Sequence, residues 1–149
     1  MLYAVLSMET KIISHRGRTS RKSSDNTLES INNAIDLNVD MVEVDIRRTK
    51  DSQIVCFHDP DIDDNFLRDL DYSEIIDIDS QIPTLEQVLW SAKGKIGIEI
   101  ELKEPGYEKD VISIVRDYFD YNNFVLKSFH PQAVERVKEI DQKYLRDCY

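Results

Sequence analysis

The sequence predicts an α/β fold, and three observations predict it. Apolar runs with period two recur along the chain, helical patterns with start signals stand between them, and no repeat or Gly/Ser linker breaks the alternation. Strand alternating with helix calls for parallel strands in βαβ units, because parallel neighbours need a crossover long enough to hold a helix. An open doubly wound sheet and a (β/α) barrel both satisfy this order, and the pattern does not separate them.

The elements follow in turn. The first strand is "KIISH" (11–15), and the helix after it carries Leu28, Ile31, Ala34 and Ile35 on one face, with Asn26 and Glu29 spaced as a capping box. "MVEVDI" (41–46) and "QIVCF" (53–57) read as two strands joined by a turn at Lys50, Asp51 and Ser52. Residues 59–81 are polar and read as a loop holding one short helix at 72–76. "PTLEQVLWSAKG" (83–94) is a helix with Thr84 and Gln87 as its capping box and Gly94 at its exit. "KIGIEIEL" (95–102) and "NFVLKSF" (123–129) are strands, each followed by a helix, over 107–120 and over 131–142, the latter opening with Pro131. "KYLRDCY" closes the chain and reads as the beginning of a further strand at 144–148.

Composition bounds the function. A chain of 149 residues suits one domain, 1–149, with a real core. The net charge of −10 argues against nucleic acid as a partner, since phosphate contacts need a basic surface. An anionic small substrate stays open if a cation or a few arginines offset the field locally. Two cysteines, Cys56 and Cys148, make no disulfide framework and fit a reducing, cytoplasmic setting, with Cys56 read as a small buried apolar residue. The opening "MLYAVLSM" lacks a basic start and a cleavage pattern, so it is not read as a signal peptide; Met8 is an alternative start. No run reaches the length of a membrane span.

Chemistry gathers at strand ends. Period-two geometry puts Val42, Val44 and Ile46 on one face and Glu43 and Asp45 on the other; it likewise separates Ile98, Ile100 and Leu102 from Glu99, Glu101 and Lys103. Adjacent carboxylates on an enclosed face need a cation, a proton or an ion-pair partner. A lone histidine at a strand end is most often a surface or capping residue, and an acidic pair on a strand is most often solvated or ion-paired. Here, though, His15 and His58 each end an apolar run, and Arg16 directly follows one of them. Glu43, Asp45 and Glu101 with two nearby imidazoles suit a hard divalent cation and proton transfer. The third histidine, His130, has no acidic partner in its segment and is read as a helix-entry residue.

Six ordered motifs resemble the glycerophosphodiester phosphodiesterase family: "SHRG" (14–17), "SDNTLES" (24–30), "VEVDIRRTKDSQIVCFHD" (42–59), "IPTLEQVL" (82–89), "IELK" (100–103) and "LKSFH" (126–130). The resemblance implies a TIM-type (β/α) barrel. It implies His15 and His58 as the acid/base pair, and Glu43, Asp45 and Glu101 as ligands of one divalent cation, Ca²⁺ or Mg²⁺. Arg16 and Lys103 would bind the phosphate. The implied reaction cleaves a glycerophosphodiester to glycerol 3-phosphate and an alcohol. Two departures stand out. Ser24-Asp25 replaces the family's Pro-Glu before Asn-Thr-Leu, and the chain is short for a barrel of about 250 residues.

That length predicts an incomplete barrel of about five to six of eight βα units, lacking its C-terminal strands. An open barrel edge predicts self-association, and it predicts little activity of the chain alone. A non-catalytic remnant or binding module of the same family is the alternative function. A phospholipase D-type sphingomyelinase relative ranks last, for want of paired cysteines and a secretion signal.

Overall fold

The computed structural model describes residues 10–20 and 24–141. Its elements in order are β1 (Ile13–Ser14), a 3-10 turn at His15–Gly17, α1 (Leu28–Asp36), β2 (Met41–Arg48), β3 (Ile54–Cys56), β4 (Asp61–Ile62) and β5 (Asn65–Phe66), then α2 (Tyr72–Ile78), α3 (Leu85–Ala92), β6 (Gly97–Leu102), α4 (Glu108–Arg116), β7 (Phe124–Lys127) and α5 (Pro131–Ile140). Four strands, β1-β2-β6-β7, lie side by side in parallel.

Register and period two divide the sheet cleanly. Val42, Ile98 and Phe124 share one row, and Val44, Ile100 and Leu126 the next. These rows pack against Ile31 and Ala34 of α1, Val88 and Leu89 of α3, Val111 and Val115 of α4 and Val137 of α5 in one apolar core. The crossover helices therefore cover one face. The other face carries Glu43, Asp45, Glu99, Glu101 and Lys127, and no helical residue joins it in that core. Helices confined to one side of a parallel sheet are the arrangement of a barrel wall, whereas an open doubly wound sheet carries helices on both faces. The fold is α/β, an incomplete (β/α) barrel.

The five expected strands form one sheet, but the direction of one needs correcting. Residues 53–57 are not a parallel stave: β3 runs antiparallel to β2, pairing Cys56 with Ile46 and Ile54 with Arg48. Since Ile46 also pairs with Leu102, β3 occupies the edge of β2 that β1 leaves free beyond Val42. A short turn at Lys50–Ser52 allows only a hairpin, and the extension of β2 past the sheet's rim supplies its partner. Four βα units are thus present among the described residues, with β3 added to the sheet as an antiparallel strand; the expected strand at 144–148 lies outside them.

The segment after β3 has its own small core of Val55, Leu67, Ile75 and Ile82, and includes the β4–β5 hairpin that its polar sequence conceals. Cys56 is buried as expected, and burial, reinforced by the nearby Asp45 charge, pushes its thiol up. Thr84 and Gln87 form the expected capping box. The first capping box sits one residue later than the spacing suggests, on Thr27 and Ser30, because Asn26 takes a left-handed φ of 54° and is used elsewhere.

Gly17 ties the first turn to α1. It has φ +71°, and an added Cβ would stand 2.6 Å from Ser30 Oγ and 2.8 Å from the Ser30 carbonyl carbon. Gly17→Ala is therefore expected to destabilise the protein by about 1 kcal/mol or more, through both strain and overlap. A urea melt that matches wild type would show that the turn adapts freely.

Candidate active site

The His15-Arg16-Gly17 turn leaves β1 as a strained corner, Arg16 standing at φ 55°. Several bonds hold that corner. The Arg16 carbonyl accepts from the Asn26 N–H at 3.0 Å and from Ser30 Oγ at 3.1 Å, while its N–H donates to Glu43 Oε2 at 3.0 Å. His15 is thereby set at the carboxyl end of β1 with an exposed ring, its Nε2 3.9 Å from Glu43 Oε2. That separation is beyond hydrogen-bond length.

The second histidine arrives by the antiparallel route. β3 returns from above the rim, and the N–H of Phe57 donates to the Asp45 carbonyl at 3.0 Å. Arg47 grips the next carbonyl, that of His58, through Nε at 2.9 Å and Nη2 at 2.7 Å. The His58 ring is partly open, and its Nδ1 lies 2.7 Å from Asp59 Oδ1. A carboxylate only accepts, so Nδ1 carries the proton and Nε2 is left to exchange one.

Glu43 and Asp45 on β2 and Glu101 on β6 are all buried, and one carboxylate oxygen from each lies within 4.8 Å of the others. Asp45 is the most heavily bonded. Its Oδ2 accepts from Asn26 Nδ2 at 3.1 Å and stands 2.9 Å from Arg16 Nε; its Oδ1 stands 3.1 Å from Lys103 Nζ. Burial pushes its pKa up, but the Asn26 bond, Lys103 and Arg16 outweigh that and leave it below the usual carboxylate value. Lys103 also reaches Glu101 Oε1 at 2.6 Å. Arg16 contacts Asp25 Oδ2 at 3.4 Å, so the Asp that departs from the family motif still meets the arginine.

Four carboxylates (Glu43, Asp45, Glu99, Glu101) thus face three cations (Arg16, Lys103, Lys127), a formal charge of −1. Glu43 Oε1 is buried and accepts no hydrogen bond among the described residues. Hard oxygen donors at this spacing could hold a divalent cation.

The structure therefore brings Arg16, Glu43, Asp45, Glu101 and Lys103 into one network, with His15 at its edge; His58 is held beside it by Arg47 and by the bond of its neighbour Phe57 to the Asp45 carbonyl. Glu99 lies on this face as periodicity placed it, though it was given no role, and two residues of the network were missed in the sequence: Asn26 and Lys127. Asn26 had a legible signal, since Asn tolerates φ > 0 and stood next to the true cap, Thr27. Lys127 alternates with Leu126 on its strand, so period two alone would have put it on the acidic face.

The model of the glycerophosphoryl diester phosphodiesterase family matches residues 15–147. The chain belongs to that family. YhdW of Bacillus subtilis (strain 168), named for the same activity, is 35% identical over 150 residues, covering 87% of this chain and 61% of its own length. A glycerophosphodiester phosphodiesterase of Caldanaerobacter subterraneus subsp. tengcongensis is 28% identical over 155 residues, covering 89% of this chain and 63% of its own. The crystal structure of the glycerophosphodiester phosphodiesterase from Agrobacterium tumefaciens str. C58 superposes with a TM-score of 0.81 at 26% identity, over 91% of this chain and 64% of that one. The chain spans less than two thirds of the length of these family members. No described helix is long and apolar enough to cross a membrane.

Proposed function

We propose that this acidic face hydrolyses glycerophosphodiesters to glycerol 3-phosphate and an alcohol, with His15 and His58 as the acid/base pair. The observation that carries the reading is the convergence of Glu43, Asp45 and Glu101 beside Arg16 and Lys103, in a chain of the phosphodiesterase family. Glu43, Asp45 and Glu101 would hold one divalent cation, Ca²⁺ or Mg²⁺, which when bound neutralises charge on the phosphodiester.

The chain's own groups do the rest. A phosphodiester is a stable anion, and Arg16 and Lys103 supply charge-assisted hydrogen bonds to its oxygens. The attacking hydroxyl must lose a proton as the bond to phosphorus forms, and the departing alcohol oxygen must gain one as its bond breaks. Imidazoles exchange protons near neutral pH, so His15 and His58 divide these two tasks. Asp59 accepts from His58 Nδ1 and so orients the ring with Nε2 free to exchange a proton. Among the described residues β7 is the last strand of the sheet and its outer edge is unpaired. Self-association through that edge, in the cytoplasm, belongs to this proposal, and a monodisperse monomer by light scattering would remove it.

The test is release of glycerol 3-phosphate from glycerophosphocholine by the self-associated fraction isolated by size exclusion, the monomer alone being expected to turn over little. Turnover is expected with Mg²⁺ or Ca²⁺, to be abolished by a chelator and restored by adding the cation back. Turnover that a chelator leaves intact would overturn the cation assignment, and no turnover with either cation would overturn the activity.

A further inference from the structure

Lys127 has no part in the reading above, yet it stands among the carboxylates. Its Nζ lies 2.6 Å from Glu99 Oε1, 3.3 Å from Glu43 Oε1 and 3.6 Å from Glu101 Oε2. The strand register fixes this placement, since Lys127 pairs directly with Glu101 across β6 and β7. Two of the three acids it touches are those assigned to the cation.

Lys127 differs from its cationic neighbours. Arg16 and Lys103 are largely enclosed and both reach Asp45, whereas the Lys127 side chain is 38% exposed and reaches Glu43 and Glu99 instead. At 3.3 Å it offsets the charge of Glu43 Oε1 over a longer contact than the 2.6 Å it makes with Glu99.

We propose that Lys127 is a positioning residue that sets the affinity of the acidic site for its divalent cation. The proposal rests on the assignment of Glu43, Asp45 and Glu101 as ligands. In the metal-free protein the ammonium holds Glu43, Glu99 and Glu101 together against their mutual repulsion. When a cation enters, the same ammonium opposes it, because like charges a few ångströms apart in a part-buried site repel strongly. Without Lys127 the cluster moves from a formal −1 to −2, and cation affinity rises with the charge of the ligand set. The residue thus favours a folded site in the absence of metal and a weaker, more readily exchanged metal in its presence.

Isothermal calorimetry of Mg²⁺ and of Ca²⁺ on chelator-stripped wild type, Lys127→Met and Lys127→Arg tests this, with thermal melts before and after adding cation. Lys127→Met is expected to bind about tenfold or more tightly than wild type. Its metal-free melting temperature should fall, and its gain on adding cation should exceed that of wild type. Lys127→Arg, which keeps the charge, should bind as wild type does. A purely structural lysine predicts the opposite direction for Lys127→Met, since a loosened site binds more weakly. Equal or weaker binding by a folded Lys127→Met, beside measurable binding by wild type, overturns the proposal alone. No binding by wild type overturns the cation assignment and the proposal with it. Should Lys127→Met fail to fold without metal, Lys127→Gln removes the same charge while keeping a donor for Glu99, and the same comparison applies.

Discussion

Replacing His58 by alanine is expected to lower the rate of diester hydrolysis about 10²–10⁴-fold, the usual cost of losing a general acid or base. Stability should hardly change. The bonds that deliver this residue are made by backbone, from the Phe57 N–H to Asp45 and from Arg47 to the His58 carbonyl, and both survive truncation of the ring. Among the described residues the ring hydrogen-bonds to Asp59, on a partly exposed face. His15→Ala should behave alike, because its side chain is 64% exposed and its Nε2 approaches Glu43 at 3.9 Å, beyond hydrogen-bond length. Rates at saturating substrate, with circular dichroism as a check on folding, read the effect. An unchanged rate in His58→Ala removes that residue from the mechanism.

Asp45→Ala is expected to cause the largest loss of stability among the site variants, about 3–5 kcal/mol. Asp45 is 1% exposed, and its removal takes the acceptor from the Asn26 amide and a carboxylate at about 3 Å from both Arg16 and Lys103, which keep Asp25 and Glu101. Breaking one side of a buried ion pair costs more than the pair contributes, because the remaining charges stay desolvated. The pH dependence follows from the depressed pKa. Burial raises it, while the Asn26 bond, Lys103 and Arg16 lower it further, so the carboxylate of the folded protein titrates below its ordinary 3.8. Its stabilisation is therefore complete above the ordinary carboxylate value and is lost as pH falls through the folded one. Urea midpoints in chelator should separate wild type from Asp45→Ala widely at pH 7 and converge in strong acid. A gap that persists unchanged in strong acid would mean that Asp45 supports the fold by packing rather than by charge.

Most of this site could be read from the sequence because strand periodicity is a strong geometric rule. Val42, Val44 and Ile46 against Glu43 and Asp45 define two faces without any knowledge of the fold, and β6 repeats the division with Ile98, Ile100 and Glu101. These eight apolar or acidic positions on two strands left little freedom for where the carboxylates could meet. What periodicity lacks is direction. "QIVCF" has the composition of a buried strand whichever way it runs, so the antiparallel course of β3 was hidden, although its short turn to β2 excludes a parallel crossover. The same loss of direction hid how His58 reaches the site: it comes down from the rim rather than ending a stave.

Partners across the sheet were harder to see than faces. Arg16 and Lys103 carry the charge expected of phosphate ligands, but here they also neutralise Asp45 and Glu101, a dual role that only distances reveal. Asn26 looked like a helix cap because it stands three residues before Glu29. Its left-handed backbone instead turns the amide onto Asp45, with the Asp45 N–H donating back to Asn26 Oδ1 at 3.0 Å. A local pattern competed there with a contact across 19 residues, and the buried charge decided the outcome. Lys127 was missed for the same reason, since its three acids lie on two other strands.

If this face hydrolyses glycerophosphodiesters as proposed, the bond it breaks is the one from phosphorus to the alcohol oxygen. Phosphorus NMR of glycerophosphocholine incubated with the self-associated protein and Mg²⁺ reads this directly, because the two candidate cleavages leave different phosphates. Loss of the diester resonance and growth of glycerol 3-phosphate are expected, with neither change in chelator. Phosphocholine as the product, or a diester resonance that persists in the presence of Mg²⁺ and Ca²⁺, would contradict the proposal.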